Sequence, residues 1–65
     1  MYYKIKALMR KNKITFTDVA NCLNLTRDTV SKKIYGDAKF TVDEILTLKE
    51  SFFPEVPLDV LLLRG

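Results

Sequence analysis

In the first eleven residues apolar side chains fall at Tyr2, Ile5, Leu8 and Met9, with Lys4, Lys6, Arg10 and Lys11 between them. Spacings of three and four place the two sets on opposite sides of a helix. The next start signal is Thr15 followed three residues later by Asp18, a capping box in which Asp replaces the usual Glu or Gln. Phe16, Val19, Ala20 and Leu23 then share a face, so a second helix is predicted from about Phe16 to Leu23. Asn24 suits the left-handed residue that ends a helix, and Leu25 can turn inward as Thr26 caps a third. That third helix, from about Arg27 to Tyr35, has only Val30 and Ile34 to bury, and Gly36 ends it.

A fourth helix opens on stronger signals. Thr41 and Glu44 form a capping box, and Phe40 with Ile45 a hydrophobic staple. Ile45, Leu48 and the stem of Lys49 point inward, and Pro54 and Pro57 stop the helix near Ser51. Leu58 to Leu63 would form a short fifth helix or turn. No repeat, low-complexity segment or period-two alternation interrupts this pattern. The expected fold is all-α: a compact bundle of four to five short helices, in one domain spanning residues 1–65.

Composition removes several kinds of chemistry. There is no histidine, and Cys22 is the lone cysteine, so an internal disulfide is impossible and a structural metal site lacks ligands. No glycine-rich phosphate loop or nucleophile–base set is present, so neither catalysis nor a cofactor is expected. Cys22 is read as a passive residue of the second helix. The longest apolar run, Val60 to Leu63, is far short of a membrane span, and no apolar leader follows Met1. The expectation is a soluble cytoplasmic protein that makes no membrane contact.

Charge then divides the chain. Residues 1–39 carry nine Lys and Arg against Asp18, Asp28 and Asp37, whereas residues 40–65 are net acidic, with Lys49 and Arg64 against five carboxylates. One end is suited to a polyanion and the other to a different task.

The middle of the chain has a recognisable arrangement: a short helix with the small Ala20, the turn Asn24-Leu25-Thr26, and a second short helix with an inward Val30. Ala20 lets the second helix cross closely, and Leu25 and Val30 fill the angle between the two. Here the sequence resembles the Cro/CI-type helix-turn-helix family of phage and bacterial repressors. "ITFTDVANCLNLTRDTVSKKIYG" looks like the family's paired helices, and "FTVDEI" with "VPLDVLL" like its fourth and fifth, so the resemblance covers about residues 5–63. Three departures stand out. Asn24 replaces a frequent Gly, and Phe16 replaces a polar residue, often Gln, that reaches a phosphate. Met9 and Ile34 occupy positions where many members have a buried Arg–Glu pair. Replacing both halves of such a pair with apolar residues is often neutral or stabilising, so Met9 is expected to pack on Ile34.

The resemblance implies a sequence-specific regulator of transcription that inserts the third helix into the major groove of double-stranded DNA. With Val30 and Ile34 inward, the outer side carries Arg27, Asp28, Ser31, Lys32 and Tyr35. Arg27, Asp28, Ser31 and Lys32 are the candidates for base edges: Arg27 or Lys32 donating to guanine, Asp28 accepting from cytosine, Ser31 allowing close approach. Asp28 could instead compensate the helix dipole or orient Arg27. Phosphate candidates are Thr15, Thr17, Thr29, Tyr35 and Lys39, followed by Lys13 and Lys33, the latter with its stem on the core and its ammonium outward. Lys4, Lys6, Arg10 and Lys11 are assigned general attraction, and Tyr2 and Tyr3 packing on the first helix.

The segment "FFPEVPLDVLLLRG" has two Phe, two Val and four Leu in 14 residues. Part of it must close the core. The remainder is expected to support a homodimer on DNA through Phe52, Phe53, Val56, Leu58, Leu61 and Leu62. The small size favours a Cro-like regulator or small repressor of a prokaryotic cell or phage-infected host, acting by operator occupancy. The alternative is a protein-interaction module such as an antitoxin, antirepressor or assembly factor.

Overall fold

Five helices follow the order the pattern predicts: α1 (Tyr3–Lys11), α2 (Phe16–Leu23), α3 (Arg27–Tyr35), α4 (Val42–Phe52) and α5 (Leu58–Leu61). The computed structural model describes residues 1–64, and no strand occurs among them. Helix α4 runs one residue past its predicted end, to Phe52.

The helix starts are fixed by local side chains. Thr15 accepts from the Asp18 amide at 3.1 Å while Asp18 accepts from the Thr15 amide at 2.9 Å, so both halves of the capping box form. Thr41 and Glu44 repeat the device at α4, at 3.1 and 2.8 Å. At α3, Thr26 accepts from the Thr29 amide at 3.2 Å, and the two threonine hydroxyls are 2.8 Å apart. Each cap satisfies a backbone donor that the helix itself leaves unpaired.

Three helices end through left-handed residues: Lys13 and Asn24 at φ 57° and Gly36 at φ 97°. Beyond α1 the Ile14 amide donates to the Met9 carbonyl at 2.8 Å, and beyond α2 the Leu25 amide donates to the Ala20 carbonyl at 2.9 Å. These are the long backward bonds that close a Schellman turn and fold the next residue inward. At Gly36 a side chain would be strained by φ, and its Cβ would also come within 3.3 Å of the Met1 backbone nitrogen.

Helix α2 packs against α3 and α4, while α1 bridges α3 and α5. Ile5, Val19, Val30, Ile34, Ile45, Leu48 and Leu61 are fully buried, joined by Tyr2, Met9, Ala20, Phe40 and Phe53. Met9 and Ile34 both lie in this core, consistent with an apolar exchange for an ion pair. Tyr2 is a cornerstone rather than a surface ring of α1. Its amide donates to the Ile34 carbonyl at 2.9 Å, its hydroxyl accepts from the Phe40 amide at 3.3 Å, and its ring meets Phe40 edge-on at 5.0 Å.

The carboxyl-terminal segment divides differently from the expected dimer surface. Phe53 and Leu61 are buried, at 4% and 0% exposure, because they close the core against α1 and α4, and this removes them from any outer surface. Phe52, Val56 and Leu58 are half-buried and Leu62 is exposed.

Candidate nucleic-acid interface

Helix α3 stands on Val30 and Ile34, both at 0% exposure, and so presents its other side to solvent. Arg27, Asp28, Lys32 and Tyr35 are exposed and Ser31 is half-buried. Phe16, Arg27, Asp28, Ser31 and Tyr35 line one shallow, open cleft between the start of α2 and α3. Three of the four base-edge candidates thus share one concavity, and Lys32 borders it through Asp28.

Polar partners separate these side chains. Asp28 pairs with Lys32, one turn on, at 3.4 Å, and not with Arg27, so it does not orient the guanidinium. Both members are well exposed, and such a pair stabilises by about 0.3–0.5 kcal/mol, little enough to be given up to another partner. Arg27 and Ser31 form no side-chain hydrogen bond or ion pair in the described structure. They are donors held at a fixed place without a partner inside the domain.

Phe16 explains its departure from the family pattern. Its half-buried ring lies edge-on to Tyr35, with centroids 6.2 Å apart, and Lys6 Nζ stands 4.5 Å above the Tyr35 ring. The aromatic pair therefore forms an apolar wall at one end of the cleft and holds Tyr35 against α2. Sequence reasoning had Tyr35 on the outer face but missed this three-helix stack, since no local pattern joins Lys6, Phe16 and Tyr35.

The phosphate candidates are spread around the cleft. Thr15 spends its oxygen and its amide on the capping box, which leaves its hydroxyl proton. Thr17 is exposed at the amino-terminal turn of α2, where unpaired amides favour anions. Thr29 is half-buried and tied to Thr26, while Lys13 and Lys39 are exposed.

Lys33 corrects its expectation. Its ammonium turns inward to Glu44 Oε1 at 3.1 Å and the Lys39 carbonyl at 3.0 Å, with the Phe40 ring centroid 5.8 Å away. Its side chain is only 14% exposed. The carboxylate at the start of α4 offers this cation a fixed, partly dehydrated partner, so it braces α3 against α4 and is withdrawn from the outer face. Burial pushes the Glu44 carboxyl up, but the Thr41 amide and the Lys33 ammonium outweigh it and hold it below the usual range.

Cys22 is half-buried and donates to Ser51 Oγ at 3.3 Å, linking α2 to α4. No group of three or more metal-ligating side chains is found among the described residues. None of their helices is long and apolar enough to cross a membrane.

Residues 4–52 match the family model of the Cro/C1-type HTH DNA-binding domain. Neither a curated protein nor a solved structure matches the chain. The matched span contains both helices of the motif, the turn between them and the whole cleft, and the chain belongs to the Cro/C1-type HTH DNA-binding domain family.

Proposed function

We propose that residues 1–65 act as one sequence-specific regulator of transcription, a Cro-like protein or small repressor, binding double-stranded DNA with α3 in the major groove. The observation that carries this reading is the outer face of α3, where Arg27 and Ser31 stand without internal partners in a domain of a DNA-binding family. Arg27, Asp28, Ser31 and Lys32 read base edges. Arg27 donates in bidentate fashion to guanine, and the loose Asp28–Lys32 pair opens so that each member finds its own base. Thr15, Thr17, Thr29, Tyr35, Lys39 and Lys13 hold phosphates, which fix register without reading sequence.

The protein occupies a two-fold operator as a homodimer, which places two copies of α3 about 34–36 Å apart. Phe52, Val56, Leu58 and Leu62 supply the apolar contact. Regulation is by occupancy of the operator.

Selection from a random duplex pool, followed by affinity measurement over a salt series, tests the reading. A recovered two-fold site and affinity that falls steeply with salt are expected, because each neutralised phosphate releases counterions. Absence of binding at low salt, or salt-independent binding, rejects DNA as the ligand. Lys39→Ala should weaken operator and random duplex alike.

A further inference from the structure

Helix α1 has an outer stripe that the helix-turn-helix does not use. Tyr3, Lys6, Ala7 and Arg10 follow helical spacing and line a shallow hollow. The sequence of α1 contains no acidic residue, and neither Lys6 nor Arg10 belongs to an ion pair among the described residues. The stripe is continuous with the face of α3. Lys6 Nζ lies 4.5 Å above the Tyr35 ring, and Tyr35 with Phe16 walls the cleft that also contains Arg27 and Ser31.

Dimensions give this continuity a meaning. The rise from Arg27 to Tyr35 is about 12 Å along the helix axis. The major groove is about 12 Å wide. When the first turn of α3 meets base edges, its last turn reaches the wall of the groove, where the phosphates are. Lys6, above Tyr35, and Arg10, one turn further along α1, then continue past that wall. Ala7 between them leaves room for a backbone to approach.

We infer that α1 forms a second phosphate-binding strip, in which Lys6 and Arg10 each hold a backbone phosphate of the same duplex, flanking the bases read by α3. The inference rests on the DNA-binding reading above. Tyr35 joins the two surfaces: its ring holds the Lys6 stem in place, so the cation reaches the backbone already oriented.

The test is the double variant Lys6→Gln/Arg10→Gln, compared with wild type and with the charge-retaining Lys6→Arg/Arg10→Lys. Binding to the selected operator and to a random duplex of equal length is followed by anisotropy across a potassium chloride series. The slope of log affinity against log salt should become shallower by about 1.8 in the glutamine variant, or about 0.9 per lost phosphate contact. Affinity should fall by the same factor on both duplexes and largely return in the charge-retaining variant. An unchanged slope, with wild-type binding intact, overturns the α1 strip and leaves the role of α3 standing. Loss of slope in the charge-retaining variant as well assigns the effect to packing on Tyr35 and likewise overturns it. A wild-type protein that binds neither duplex at low salt removes the parent reading together with this one. Circular dichroism melts of both variants identify any loss of fold, and an unfolded glutamine variant is replaced by Arg10→Gln alone, with an expected change of about 0.9.

Discussion

Lys32 and Lys33 are neighbours on one helix, and each pairs with a carboxylate, yet they belong to different regions of the molecule. On the outer face, Lys32 is 61% exposed and holds Asp28 at 3.4 Å within its own helix. At the junction with α4, Lys33 is 14% exposed and holds Glu44 at 3.1 Å with a backbone carbonyl as second acceptor. The first pair is screened by water and readily exchanged; the second is partly dehydrated, doubly bonded and spans two helices. A positive charge in this chain becomes available to a ligand only where the fold has not already given it a partner.

Mutations can break this contrast. The largest effect is expected behind both lysines: Ile34→Ala should cost about 2–5 kcal/mol in chemical denaturation, since a fully buried side chain leaves a cavity between α1 and α3. Lys33→Ala should cost about 1–3 kcal/mol, the range for hydrogen bonds to charged groups, without altering the base preference of the folded protein. A loss as small as that of an ordinary surface lysine would erase the distinction between the two regions.

On the outer face stability and binding should separate. Arg27→Ala should lower operator affinity by about 1–3 kcal/mol and relax preference at one base pair, while the melting curve stays almost unchanged. Equal losses on operator and random duplex would deny Arg27 its base. Asp28→Ala, at the bottom of the scale, should change stability by less than about 0.5 kcal/mol.

Acid sharpens the same contrast. Because the folded Glu44 carboxyl titrates below its ordinary value of 4.5, its contribution is fully present above that pH and is lost as pH falls through the lower folded value. Wild type should therefore lose stability in that window relative to Glu44→Gln, which is less stable at neutral pH and flatter below it. Parallel pH profiles from urea titrations would show that Glu44 is not the group responsible.

The fold was legible wherever its causes are local. Thr15 with Asp18, Thr26 before α3 and Thr41 with Glu44 announce helix starts within a few residues, and the spacing of Val19, Ala20, Val30 and Ile34 marks the inward faces. The outer face of α3 followed by elimination. What sequence could not supply depended on which helices meet. Glu44 lies eleven residues from Lys33, so an inward-turning ammonium leaves no local trace. The apolar end of the chain has no clear period, so nothing in it distinguished the buried Phe53 and Leu61 from the exposed Leu62. Lys13 takes a left-handed conformation in place of a glycine or asparagine signal, because the Ile14 amide and the Met9 carbonyl close the turn around it.

Tyr2 has a consequence for how the domain comes together. Its hydroxyl receives the Phe40 amide across 38 positions of sequence, and its amide seals the carbonyl of Ile34 in the last turn of α3. Contacts of that range form only after a long loop has closed, so they belong to the late, cooperative part of folding. The end of α3 is thus finished by the second residue of the chain. Amide exchange at Tyr2 and Phe40 should track global unfolding instead of local fraying, and the outer face of α3 is then presented whole or not at all.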